Sequence, residues 1–277
     1  MPADDPIRRW ALRIIWVVLA AISWPVLVDT AAHVGANTWT WYALAILPLA
    51  VLATLAATPG PPHGLWAVLG VAVGVGIEVW AIASGAVRIG RFGLAIAVIA
   101  VLLLQGRADR RNVVLLALCV PIPSFVVRGV CEPVVALLCR AGAALSNALG
   151  APAFAQGTQV EWSTGVYVFD GSDLGASTAL FGLALGWLLA ADPDRPPLAV
   201  LRVVAAMTAL AWLAHALVTL LLFAAFDPAS IALVRPLRDA VAIVVAIAIA
   251  LSGRTGIEPG LADAIRELSA RRRRVSV

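Results

Sequence analysis

Ser172, Asp173, His215, Arg235 and Arg238 are the residues of this 277-residue chain whose types could combine into chemistry. They stand out because polar side chains are scarce: 62% of the residues are hydrophobic and 13% charged. A serine hydroxyl becomes a nucleophile when a base lies within hydrogen-bond reach, and His215 is the base available. Arginine supplies the donors that hold an oxyanion as it forms. Ser172, His215 and Arg235 or Arg238 could therefore make an acyl-transfer site, with Asp173 beside the nucleophile. A plainer alternative stands next to it. Serine and aspartate also accept from the free backbone donors at a helix start, so Ser172 and Asp173 could simply cap one. His215 could simply bond a neighbouring helix.

The elements that must position these residues are long and apolar. A soluble domain is about 25% charged, and runs of about 20 apolar residues, the length that crosses a bilayer, recur along this chain. The pattern predicts an all-α polytopic membrane protein of about eight transmembrane helices. They are expected near residues 10–28, 39–57, 65–83, 89–104, 112–127, 174–190, 198–226 and 231–251. Residues 1–252 form one membrane domain in this reading, and residues 253–277 a basic cytoplasmic tail. All 20 basic residues are arginine, and they collect at the ends of spans, where they set topology. Arg8, Arg9 and Arg13 put the N-terminus in the cytoplasm. Arg271 to Arg274 put the tail there too, against anionic lipid. The net charge of +4 is thus a membrane feature and implies no nucleic-acid partner.

Ser172 and Asp173 then open the sixth span on the outer side, His215 lies in the outer half of the seventh, and Arg235, Arg238 and Asp239 lie at the outer end of the eighth. Pro121 and Pro123 break or end the fifth span, because each removes a backbone donor. Residues 131–149 read either as a further span or as a helix lying on the membrane, given Arg140, Ser146 and Asn147. Residues 156–170 read as a short extracytoplasmic hairpin-like insertion. Residues 29–38, with His33, read as an outer loop. Glu78 is an ionisable group inside a span, which is costly and often functional; an ion pair with Arg88 or Arg91 is its structural alternative. Gly70 and Gly74 suggest close helix packing. Cys119, Cys131 and Cys139 match no metal spacing and read as small buried hydrophobes. No metal or cofactor is expected.

The order of features from about residue 106 to 226 resembles the exosortase/archaeosortase family of multi-pass membrane transpeptidases. A basic turn is followed by an apolar run ending in Pro121-Ile-Pro123, then by a helix ending Leu149-Gly-Ala-Pro152. Next come Gln156-Gly-Thr158, Val168-Phe-Asp170 and the small residues opening the sixth span. The resemblance implies an inner-membrane protein that processes or sorts exported proteins at the outer face. Its partners would be membrane lipid and the C-terminal transmembrane helix of an exported protein, or another membrane subunit. The family nucleophile is a cysteine in a segment like Glu-Ala-Cys-Ser-Gly-Leu-Arg-Ser. Here Asp170-Gly-Ser-Asp-Leu-Gly-Ala-Ser177 stands in its place. Ungapped, Ser172 takes the cysteine position; aligned on Gly175, Asp173 does. The family arginine of the next span is lost, His215-Ala-Leu-Val218 being the nearest match, and Arg235 and Arg238 stand where the family has a histidine. The chain is either a transpeptidase that uses serine for cysteine or a non-catalytic scaffold or partner-binding subunit. A small-molecule carrier is disfavoured by the few intramembrane charges and the absence of a visible repeat.

Overall fold

The computed structural model of the chain describes residues 6–36, 40–57, 60–62, 64–122, 124–169, 173–190, 195–223, 237–241, 243–245 and 247–248. Among them run α1 (Pro6–Ala36), α2 (Trp41–Ala56), α3 (Gly64–Ala83), α4 (Val87–Leu104), α5 (Arg110–Leu118) and α6 (Ser124–Ala148). The strands β1 (Ala153–Gln156), β2 (Gln159–Trp162) and β3 (Gly165–Val168) follow, then α7 (Ala176–Ala190) and α8 (Pro197–Phe223). The described residues between 237 and 248 are also helical. The tail at 253–277 lies outside the described residues, as do 224–236 and the start of the eighth expected span.

Among the described residues, four helices contain segments long and apolar enough to cross a membrane: Trp10–Val34, Gly64–Ala83, Val87–Leu104 and Pro197–Leu221. Only 17–39% of each apolar window is buried within the protein, and large side chains such as Trp24, Trp66 and Leu213 are exposed. Exposing apolar surface to water costs about 25 cal/mol per Å², so lipid is the medium these helices suit. α2 and α7 are apolar but shorter, at 16 and 15 residues. At 1.5 Å per residue they measure about 24 and 22 Å, less than the roughly 30 Å hydrocarbon core.

The chain divides into two compact units, Met1–Thr38 with Ile46–Pro121, and Trp39–Ala45 with Ile122–Val277. In the first, α3 and α4 pack through their smallest residues. A Cβ built on Gly74 would lie 2.6 Å from the Ala97 nitrogen, and one on Gly70 2.8 Å from the Ala100 Cβ. Gly90 meets Val26 of α1 in the same way. Backbones this close suit helices that gain no hydrophobic drive from lipid and must associate by contact. α1 differs from expectation, because residues 29–36 continue the helix instead of forming a loop. No proline follows Pro25 in this stretch, and the helix carries Asp29 into range of α4. There the Arg91 Nη2 donates to Asp29 Oδ2 at 2.6 Å. Of the two arginines offered as alternative partners for Glu78, Arg88 and Arg91, the second is therefore held by Asp29. Glu78 is fully buried; its carboxylate faces the Ser23 hydroxyl without the geometry of a hydrogen bond.

α5 has nine residues, about 14 Å of helix, and cannot cross a membrane alone. It begins at a capping box: Asp109 Oδ1 accepts from the Asn112 backbone, and Asn112 Oδ1 accepts from the Asp109 backbone, both at 2.9 Å. Its end coincides with the proline pair. In the second unit, the Ile122 N–H between those prolines donates to the buried Tyr42 hydroxyl at 2.8 Å. Residues 131–149 are not a separate segment: they continue α6, which starts at Ser124 and carries Pro133 inside it. One face of α6, at Cys131, Val135, Cys139 and Ala143, packs on Val160, Trp162, Tyr167 and Phe169. Val160, Trp162 and Tyr167 come from a three-stranded antiparallel sheet in the order β1-β2-β3, with Phe154 paired to Glu161 and Val160 to Tyr167, and Phe169 follows β3. The stretch read as one hairpin over 156–170 is thus a meander beginning at Ala153. β1 was hidden because Ala153-Phe-Ala-Gln156 has little β-branched character. Asn147 clasps its start, exchanging two 2.9 Å hydrogen bonds with the Ala153 backbone. Cys131 and Cys139 are buried and Cys119 half-buried, all as free thiols.

The glycine seam gives a paired test. Gly74→Leu should destabilise the protein by about 1–3 kcal/mol or more through overpacking. Gly76→Leu, two residues on and facing open space, should be neutral or slightly stabilising. Thermal unfolding in detergent micelles checks both, and equal losses would contradict the seam.

Candidate functional site

The second unit brings Asp173, His215 and Arg238 together, and adds Asp239. Asp173 lies in the turn that leads into α7, His215 is two turns from the end of α8, and Arg238 and Asp239 lie in the helical stretch 237–241. Ser172 and Arg235 lie outside the described residues. A chain with few charges has assembled four ionisable groups from three segments, and burial explains why each needs the others. The side chains of Asp173 and Arg238 are both 0% exposed. An isolated charge at such depth is strongly unfavourable unless it is paired and hydrogen-bonded.

The pairing is close. Arg238 Nη1 donates to Asp173 Oδ1 at 2.7 Å. The same guanidinium donates through Nε to Asp239 Oδ1 at 3.1 Å, and its Nη2 lies 3.1 Å from that oxygen. The Trp41 indole donates to Asp239 Oδ2 at 3.2 Å, so α2 closes the far side of the cluster. One planar guanidinium thus serves two carboxylates, which its fixed fork of donors permits.

His215 is fully buried beside the pair. Its Nε2 is 3.1 Å from the backbone oxygen of Asp173. That oxygen can only accept, so Nε2 carries the hydrogen. Nδ1 faces the Thr178 hydroxyl at 3.1 Å and Asp239 Oδ1 at 3.5 Å. A bare Nδ1 accepts from Thr178; a protonated one donates toward Asp239. Two carboxylates face one guanidinium and one imidazole, and the four groups balance to zero charge when His215 is protonated. Thr219, one turn beyond His215 on α8, donates to the same Asp173 oxygen at 3.4 Å.

The turn holding Asp173 is fixed by Gly175. Its φ is +80°, a left-handed conformation that costs other residues their Cβ clearance. A Cβ there would also stand 2.7 Å from the His215 ring. Downstream, Gly182 and Gly186 let α7 close on α8, where an added Cβ would meet the Met207 oxygen at 2.7 Å and the Val204 Cα at 2.9 Å. The Trp212 indole donates to the Leu174 oxygen at 2.8 Å and ties the turn to α8 again.

Reasoning from sequence placed Asp173, His215 and Arg238 in one region and missed what joins them. Asp239 was placed at the same outer end as Arg238, but nothing in the sequence tied Trp41 to it. Thr219 follows His215 by four residues and so shares its helix face; that spacing was a usable signal. Thr178 carried none. Among the described residues no group of three His, Cys, Asp or Glu side chains could hold a metal ion.

Gly175→Ala should destabilise the protein by on the order of 2 kcal/mol or more, from the left-handed backbone and the histidine contact together. A melting temperature in detergent within error of the parent would contradict this placement of the turn. Compared with known proteins, the chain matches no protein-family model, no curated protein and no solved structure.

Proposed function

We propose that the chain is an exosortase-like integral membrane protein of the bacterial inner membrane that acts on exported proteins, in the processing or sorting of their C-terminal membrane segments. One observation carries this reading. The three regions that the resemblance aligns with the family's catalytic segments, at 170–177, 215–218 and 235–238, supply Asp173, His215 and Arg238 to a single buried cluster. The proposal includes eight spans with both ends in the cytoplasm, and the sheet and cluster on the outer side. The arginines at 8, 9 and 13 and at 107, 110 and 111 support that orientation. The fifth crossing needs residues on both sides of the proline break, since α5 is too short alone.

Within this reading, binding without bond cleavage is favoured. With Asp173 at the family cysteine position, a carboxylate locked to Arg238 at 2.7 Å replaces the thiolate. A carboxylate so held is a structural charge rather than a free nucleophile. The described partners of His215, a backbone carbonyl, a threonine hydroxyl and a carboxylate, serve to hold an imidazole in place. The protein then keeps an exported partner's transmembrane helix against the bundle without cutting it. The serine-based transpeptidase is the second reading, and Ser172 decides it.

The test is to produce the chain in bacterial membranes with an exported protein ending in a transmembrane helix that carries a photocrosslinker. The expected result is a crosslinked pair, an uncut partner, no labelling by a fluorophosphonate probe, and no change on Ser172→Ala. A shortened partner whose formation Ser172→Ala abolishes would establish the serine enzyme instead. The absence of both a crosslink and processing would overturn the family reading.

A further inference from the structure

The first unit contains a cavity of about 330 Å³, at the small end of the 300–1,000 Å³ usual for ligand sites. It runs along α1, from Trp16 past Leu19 to Leu27 and Thr30, and is bordered by Leu94 and Val98 of α4 and by Leu116 of α5. Trp16 and Thr30 are 14 residues apart, about 21 Å along the helix axis. An elongated apolar space of this volume suits an unbranched hydrocarbon chain better than a helix, which with its side chains is 10–12 Å across.

The walls are apolar but one end is charged. Arg91 lines the slot, is 6% exposed, and leaves its Nε without a hydrogen-bond partner. Its Nη2 is held by Asp29 at 2.6 Å. His33 nearby is reached by the charges of Arg88, Arg91 and Asp29. A buried arginine with an unused donor complements an anion. The other polar wall groups do not compete for it: the Thr30 hydroxyl donates to the Val26 oxygen at 2.6 Å, and Ser23 faces Glu78.

We propose that this slot binds a single-chain anionic amphiphile, a long-chain fatty acid with its carboxylate at Arg91 and its chain between α1 and α4. The site is independent of the Asp173 cluster and of the exported-protein reading, since every residue lining it belongs to the first unit. The carboxylate accepts from the free Nε and shares the guanidinium with Asp29, while the chain replaces empty apolar space with contact.

The experiment uses the purified full-length protein in detergent and palmitic acid carrying a diazirine near its methyl end. Saturable labelling is expected on α1 between Trp16 and Leu27 and on α4 between Leu94 and Val98, displaced by palmitic acid and not by the matching fatty alcohol. Arg91→Gln should weaken binding about ten-fold, the usual scale for losing a charge-assisted hydrogen bond. Asp29→Asn should strengthen it by freeing the guanidinium, a gain that a merely structural ion pair would not give. Ala95→Phe, which fills the slot without touching the charges, should abolish it, and keeps the test decisive if Arg91→Gln does not fold. Unsaturable labelling spread to the exposed Trp66 and Val73 would overturn the proposal. So would equal competition by the alcohol, weakening by Asp29→Asn, or preferential displacement by a lysophospholipid.

Discussion

A buried charge in an apolar bundle must find its opposite inside the bundle, and the Asp173–Arg238 ion pair is where the second unit meets that demand. Both side chains are sealed from solvent. Neither is tolerable there alone, because removing one partner of a buried pair typically costs about 3–5 kcal/mol. The pair therefore dictates other features. It requires the Asp173 turn and the 237–241 stretch to be held in register. It also requires partners for Arg238's other donors, two of which Asp239 takes. His215 and Thr219 bind the backbone of Asp173 itself, so the carboxylate, its carbonyl and the ring form one body.

Close packing by glycine makes such networks possible. Gly175 lets the His215 ring lie against the turn, and Gly182 and Gly186 bring α7 and α8 within backbone contact. In the first unit Gly74 and Gly93 do the same for α3 and α4, and Gly93 lies directly on the Glu78 side chain. With lipid as solvent, association relies on contact and on polar pairing. The two are linked here, since a polar group reaches its partner only where the backbones have come close. The same logic explains the Asp29–Arg91 pair, which exists because α1 stays helical past residue 28.

How much was legible in the sequence follows from which signals are local. Runs of apolar residues located the helices α3, α4, α7 and α8 to within a few residues, because hydropathy and run length are read from the residues themselves. Pro121 and Pro123 marked the break after α5, because proline acts through its own backbone. Partnerships were not legible, because they are set by tertiary geometry. Glu78 and Arg91 were natural partners by distance along the chain, yet Asp29, 62 residues away, holds the arginine. His215 was matched as a base to Ser172, which lies outside the described residues; its described partners, Thr178, Asp239 and the Asp173 carbonyl, were not foreseen. Trp41 reaches Asp239 across 198 residues, and no pattern in the sequence announces that contact. The slot along α1 was likewise invisible, since a cavity is a property of how helices meet.

The most direct test of this account is a double-mutant cycle on Asp173 and Arg238. Asp173→Asn, Arg238→Met and the double variant would be unfolded reversibly in detergent alongside the parent. Buried partners in one network couple by about 0.5–3 kcal/mol, and the account places this pair at the upper end, with the double variant much less impaired than the sum of the singles. Losses that add to within roughly 0.5 kcal/mol would mean that the two side chains do not depend on each other, and the second unit would need another organising contact.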